Sequence, residues 1–115
     1  MSTEVAEKLA EFAIRVRIKD IPSETVEFTK GLCLKTVAGM LRGSGMPAGL
    51  KASRSSRQRG HAPEAGVIGS GFRTSLWNAV LNNAFFAHAS ELEDDRFGGM
   101  GTCWDITVLP VTFTF

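Results

Sequence analysis

Ser75-Leu76-Trp77-Asn78-Ala79-Val80-Leu81-Asn82-Asn83-Ala84-Phe85-Phe86-Ala87-His88-Ala89-Ser90-Glu91-Leu92-Glu93-Asp94-Asp95 is the stretch on which the fold turns. Leu76, Val80 and Ala84 recur every four residues, and Trp77, Leu81 and Phe85 form the neighbouring row, so the spacing predicts a helix to about residue 90. Thr74 or Ser75 supplies the side-chain oxygen for its N-terminal cap. Asparagine is a mediocre helix former, so Asn78, Asn82 and Asn83 point to a second face that meets polar partners.

Upstream, Gly66-Val67-Ile68-Gly69-Ser70-Gly71-Phe72 predicts a short extended segment with a turn near 66–72. A phosphate loop is the sharper idea there, but no lysine follows in P-loop fashion and no long buried strand precedes. Residues 43–66 hold Lys51, Arg54, Arg57 and Arg59 among serines and read as a solvated loop or weak surface helix. A phosphate or anion patch is the other reading of that basic run. No aromatic residue is interleaved for base stacking, which argues against nucleic acid.

Two further helices precede. Pro22-Ser23-Glu24 starts one, with proline at the first helical position and an acid in the first turn. Val26, Cys33, Val37 and Met40 mark its apolar face, extended by Leu34 and Leu41, and Gly43-Ser44-Gly45 ends it. Gly31 and Gly39 each weaken it by about 1 kcal/mol relative to alanine unless close packing compensates. Residues 3–17 form an amphipathic helix on Val5, Leu9, Phe12 and Val16, with Glu4 near its start and Arg15 near its end. At the other end, Leu109, Val111, Phe113 and Phe115 alternate with threonines, which taken alone says strand, with Pro110 restricting it to an edge.

The totals bound the answer. The 115 residues make one domain at most, with 43% hydrophobic and 22% charged residues, ordinary for a globular chain. A net charge of +1 offers no global field for nucleic acid or an anionic membrane. No apolar run approaches the ~20 residues that span a bilayer, and the first residues lack a signal peptide's pattern. Cys33 and Cys103 form no disulfide framework, so a reducing cytoplasm is the default compartment.

Chemistry concentrates in His88 to Asp95. If the helix continues, His88 and Glu91 share a face at i, i+3, and four carboxylates crowd a helix C-terminus where the dipole disfavours them. Crowded carboxylates raise one another's pKa, which suits a proton acceptor or donor near neutral pH. On chemistry alone a solvated acidic loop is the plainer reading. Metal binding is a third, though the spacing fits no calcium loop and no second Glu-x-x-His pair exists for a di-iron site. Cys103 sits near negative charge, which argues against a thiolate nucleophile. His61 reads as a loop residue and Cys33 as core filler.

Three blocks resemble the N-terminal region of the MmgE/PrpD family. Leu32–Ser44 (LCLKTVAGMLRGS) is similar to the family's "LLLDTLGVxLAGS", Glu64–Gly71 (EAGVIGSG) to "ATVIGSG", and Asn78–Asp95 to "NAALVNGxxAHALEFDD". Val108-Leu109-Pro110 then resembles "VLPA". The resemblance implies a mainly α fold, a helical-bundle fragment like the N-terminal helical domain of these proteins. It further implies a helix for the tail, which is the expectation adopted over the strand propensity. Residues 1–115 then read as a single, truncated N-terminal domain, since the family chain is several times longer and carries an α/β domain with further lysine and histidine site residues.

Family members dehydrate 2-methylcitrate, decarboxylate cis-aconitate or epimerise iminodisuccinate without a metal or organic cofactor, so the resemblance implies a small carboxylate substrate, no cofactor and no metal. It assigns the acid/base carboxylate to Glu91 and substrate contacts to His88, Asp94, Asp95 and Cys103, the last near a family histidine. Departures are plain: Lys35 replaces an aspartate, Ala38 a glycine, and 98–105 contain no histidine. The expectation is the N-terminal part of a lyase- or isomerase-like enzyme, inactive alone, with no nucleic-acid or membrane partner. The alternative is a non-catalytic helical module that self-associates, as a homodimer, through exposed Trp77, Phe85, Phe86, Phe113 and Phe115.

Overall fold

The computed structural model describes residues 3–92 and 103–114. It is mainly helical: α1 (Thr3–Arg15), a 3-10 turn (Ile18–Asp20), α2 (Ser23–Ser44), α3 (Pro47–Gln58), β1 (Ala65–Val67), β2 (Phe72–Thr74), α4 (Leu76–Ala89) and α5 (Trp104–Thr114). The chain divides into two compact units, residues 1–31 and 32–115.

In the first unit, α1 begins with Glu4 and ends with Arg15, each placed favourably for the helix dipole. Lys8 pairs with Glu4 at 2.6 Å across one turn, an exposed pair that contributes at most ~0.5 kcal/mol. The helix stops two residues earlier than the periodicity predicts. Arg17 takes an extended backbone, its N–H donates to Asp20 Oδ2 (3.1 Å), and its guanidinium satisfies the Ile14 carbonyl (3.0 Å). The expected stripe forms on α1, yet Val5, Leu9 and Phe12 are exposed and Val16 is half-buried. Pro22 sits just ahead of α2, its carbonyl accepting the N–H groups of Thr25 and Val26 at 3.0 and 3.1 Å. That is one position earlier than first-turn proline predicts.

The second unit is organised around α4, which packs against α5, α3 and both strands. The core is small: Met40, Ala65, Val67, Ala79, Phe86, Ala87 and Ile106, with Ala52, Ile68, Phe72, Leu76 and Cys103 half-buried against it. Glycine sets how closely its helices approach. A Cβ on Gly43 would lie 1.9 Å from the Phe86 carbonyl oxygen, and one on Gly49 would lie 2.0 Å from that of Gly43. Gly39 likewise faces Ser90 Oγ at 3.0 Å, whereas Gly31 meets nothing within 4 Å, so close packing accounts for one of the two mid-helix glycines only.

This close approach corrects the expected faces. On α2 the buried residues are Thr36, Gly39, Met40, Gly43 and Ser44, while Leu34 and Leu41 are exposed. On α4 they are Ala79, Asn82, Asn83, Phe86 and Ala87; Trp77, Leu81 and Phe85 point outward, with Trp77 82% exposed. Phe86, expected in an exposed patch, is fully buried. The polar partners expected for the asparagines are present. Asn83 accepts the Ile68 N–H at 2.9 Å and donates to Gly66 O (3.3 Å) and Thr114 Oγ1 (2.9 Å), tying hairpin and α5 to α4. Asn82 donates to Ser56 Oγ at 2.7 Å, and Asn78 to Ser75 Oγ at 2.8 Å.

The extended turn is a two-stranded antiparallel hairpin with Ala65 opposite Thr74 and Val67 opposite Phe72. Gly69 and Gly71 adopt φ +74° and +63°, a region where a side chain is penalised. At Gly69 a Cβ would also lie 2.3 Å from Ser44 Oγ. Ser75 holds the N-cap position of α4 without a side-chain cap bond; Glu64 Oε2 reaches over from before β1 and accepts the Leu76 N–H at 2.8 Å. Residues 47–58, weak in helix signal, form α3 because Pro47 opens it and Gly49, Ser53 and Ser56 make a face small enough to bury.

The tail is helical, as the resemblance implies. Its threonines fit a helix by returning their hydroxyls to carbonyls of the preceding turn: Thr107 to Cys103 O (3.2 Å), Thr112 to Val108 O (3.0 Å), Thr114 to Pro110 O (2.6 Å). Pro110 lies inside the helix and is buried.

Candidate functional site

Of the residues singled out by the sequence, His88 and Glu91 lie where α4 ends and Cys103 just before α5 begins. The last turn of α4 carries His88, and the helix stops at Ala89, with Ser90 as C-cap and its Oγ bonded to the Ala87 carbonyl at 2.8 Å. Glu91 follows with φ +53°, the one described non-glycine residue in the left-handed region. That conformation ends helices routinely, but glycine or asparagine usually supplies it. A glutamate there stores strain of roughly 1–2 kcal/mol.

The break changes the expected geometry. A shared i, i+3 face for His88 and Glu91 requires helix through residue 91, and α4 has already ended. The two are joined through the backbone instead, the Glu91 N–H donating to the His88 carbonyl at 3.0 Å. Both side chains are exposed. Cys103 is a half-buried free thiol packed against the core just before α5. Asp94 and Asp95 lie outside the described residues, as does Glu93. Among the described residues, no group of three histidine, cysteine, aspartate or glutamate side chains could hold a metal ion.

One acid at this junction was not predicted from the sequence. Asp105, in the first turn of α5, is 4% exposed. Its Oδ1 accepts the Ile106 N–H at 2.8 Å, and its Oδ2 meets Lys35 Nζ at 2.6 Å and Thr36 Oγ1 at 3.2 Å. A carboxylate at a helix N-terminus is favoured by the dipole, and the lysine supplies the opposite charge that its burial demands. The signal was present in two halves. Lys35 stands where the resembling family has an aspartate, and an aspartate stands 70 positions later, three residues before Val108-Leu109-Pro110. Only the fold shows that the halves meet.

Across these elements the family model for the MmgE/PrpD N-terminal domain matches residues 7–111. The chain belongs to the MmgE/PrpD family. The match runs from within α1 into α5, so it covers all three resembling blocks and the turn that carries Glu91. No curated protein and no solved structure matches the chain. Membership of the MmgE/PrpD family is that of a dehydratase group in general, and this chain corresponds to its N-terminal domain. Among the described residues, no helix is long and apolar enough to cross a membrane.

Proposed function

We propose that this MmgE/PrpD domain contributes the acid/base carboxylate of a proton-transfer lyase or isomerase acting on small di- or tricarboxylates, with Glu91 in that role. The observation that carries the reading is the left-handed backbone of Glu91 at the end of α4. Strain of this kind is retained where a side chain must be aimed, and a glycine would have ended the helix more cheaply. The exposed Glu91 carboxylate leaves room for a substrate and for a second domain to close over it, which would exclude water and sharpen the proton transfer. His88 and Cys103, with Asp94 and Asp95, are proposed to contact substrate. Turnover then requires the lysine and histidine groups that the family resemblance places in its α/β domain, so the chain alone is expected to be inactive.

The test grafts residues 7–111 in place of the matching domain of an active MmgE/PrpD enzyme. The unsaturated acid formed from 2-methylcitrate, or consumed from cis-aconitate, is then followed by absorbance. Glu91→Gln in the graft should lower kcat by at least about a hundredfold, the usual weight of a positioned general acid or base. A Gln variant as fast as the parent graft, or robust turnover by the chain alone, would falsify this assignment.

A second reading rests on a different observation, the outward row Trp77, Leu81 and Phe85 on α4. Contiguous exposed apolar surface of this kind marks interfaces. In that reading the chain is a non-catalytic module that self-associates through this row. Sedimentation decides it: a dimer that Trp77→Ser and Leu81→Lys together convert to monomer supports the module, and a monomeric parent chain removes it.

A further inference from the structure

The basic run of α3 and the glycine-rich turn, separate in sequence, meet in space. Ser44 from the end of α2, Leu50, Ser53, Arg54 and Arg57 from α3, and Gly69-Ser70 from the hairpin turn line one cavity of about 320 Å³. Ser44 and Ser53 are more than nine-tenths buried. Ser53 Oγ and Ser70 Oγ share a hydrogen bond at 3.0 Å. Whichever hydroxyl donates it, the proton of the other is left for a further acceptor.

The arginines are held unequally. The Arg57 guanidinium donates to the Ser70 carbonyl and lies 4.1 Å over the Phe72 ring, so its plane is fixed against the turn. Arg54 stands one helical turn earlier on the same face, and Lys51 one turn before that. Among the described residues none of these three cations has a carboxylate within ion-pair distance, and α3 contains no acidic residue. Three like charges in a row destabilise the helix that carries them unless an anion is shared between them. A guanidinium already oriented by a carbonyl and a ring loses little freedom in binding one.

We propose that this cavity is a binding site for a phosphoryl group, whether inorganic phosphate or the phosphate end of a small metabolite. Arg54 and Arg57 supply charge-assisted N–H donors, and the Ser53–Ser70 pair supplies a hydroxyl. Two guanidinium groups and a hydroxyl make three separate donors, which suits the several oxygens of a tetrahedral oxyanion better than the two coplanar oxygens of a carboxylate. The turn needs glycine at 69 because its backbone passes against Ser44 Oγ with a left-handed φ. The cavity shares no residue with the Glu91 turn, so the assignment stands or falls independently of the proposed catalysis.

Inorganic phosphate is titrated into the full chain at constant ionic strength while amide shifts are followed by NMR, with succinate in a parallel arm. The expected result is saturable shifts confined to residues around 53–57 and 69–71, with succinate binding at least about tenfold more weakly. Arg54→Gln, exposed and without a bonded partner among the described residues, should weaken phosphate at least about tenfold while the rest of the spectrum is retained. Ser53→Ala and Ser70→Ala together should weaken it about threefold or more, the loss of one neutral hydrogen bond. Arg59→Gln removes the same charge outside the cavity and should leave affinity unchanged. Equal losses in the Arg54 and Arg59 variants would reveal diffuse attraction and overturn the site. Unsaturable shifts, or succinate binding as tightly as phosphate, overturn it equally. A phosphorylated metabolite binding more tightly than free phosphate assigns the source.

Discussion

Helices α1 and α4 invert the usual relation between pattern and burial. α1 has the clean apolar stripe, Val5, Leu9 and Phe12, and every one of those side chains is exposed. α4 has a blurred pattern with three asparagines, and it is the centre of its unit, with Asn82 and Asn83 at 2% and 0% exposure. Periodicity reports which side a helix could bury; it does not report whether a neighbour can approach. α4 is approached by glycine. Gly43 lets α2 lie directly on the Phe86 carbonyl, which leaves no room on that side for a tryptophan or leucine and turns Trp77 and Leu81 outward. Burial of Asn83 is tolerated because hydrogen bonds at both its oxygen and its nitrogen replace the water it loses, whereas Asn82 is satisfied at Nδ2 and its buried Oδ1 has no partner among the described residues.

The contrast can be broken most forcefully at Gly43. Gly43→Ala places a Cβ against backbone rather than a movable side-chain end, so the loss should be about 3 kcal/mol or more, at the upper end of overpacking. Urea denaturation should show a lowered midpoint with an unchanged slope. Asn83→Ala should cost about 2–3 kcal/mol, because the Ile68 N–H and Gly66 carbonyl lose their partner. Amide exchange should then accelerate at Ile68 specifically; uniform acceleration would mean the asparagine holds no particular contact. Asp105→Asn comes next, at roughly 2 kcal/mol, less than a wholly buried pair because the Lys35 side chain is 32% exposed. Lys35→Met in the same chain should recover part of that loss, and strict additivity in the double-mutant cycle would show that the two do not interact.

Gly31→Ala is the counterpart of Gly43→Ala on the same helix. With nothing near its Cβ, it should stabilise by up to about 1 kcal/mol, read as a higher Tm. The smallest effect is expected on α1. Phe12→Gln should change stability by less than about 0.5 kcal/mol, since this phenylalanine is 66% exposed. A loss of 2 kcal/mol or more, the scale of a large core truncation, would mean that the stripe is covered in solution.

Much of the fold was legible in the chain. The positions of α1, α2 and α4, the hairpin turn and the polar side of α4 follow from periodicity, proline and glycine placement, and the need of asparagine for partners; the residues of α5 read locally as a strand, and those of α3 as a loop or weak surface helix. The site was legible only in part. Glu91 stood out as an acid at a helix end, but its left-handed backbone did not, because nothing in Ser90-Glu91-Leu92 announces a positive φ as a glycine does. The Lys35–Asp105 pair was invisible because charge complementarity across 70 residues has no local pattern.

Local chemistry thus determined which stretches become α1, α2 and α4, for proline geometry and side-chain spacing act within a few residues and need no neighbour, whereas their exact ends depend in part on distant groups such as Glu64. It also determined the family, whose blocks are themselves local. The tail is helical as the family resemblance implies and against its local propensity, while tertiary structure alone decided which face of each helix is buried and which distant charges meet. Those outcomes depend on how closely backbones can approach one another, and that distance is set by glycines whose partners lie elsewhere in the chain.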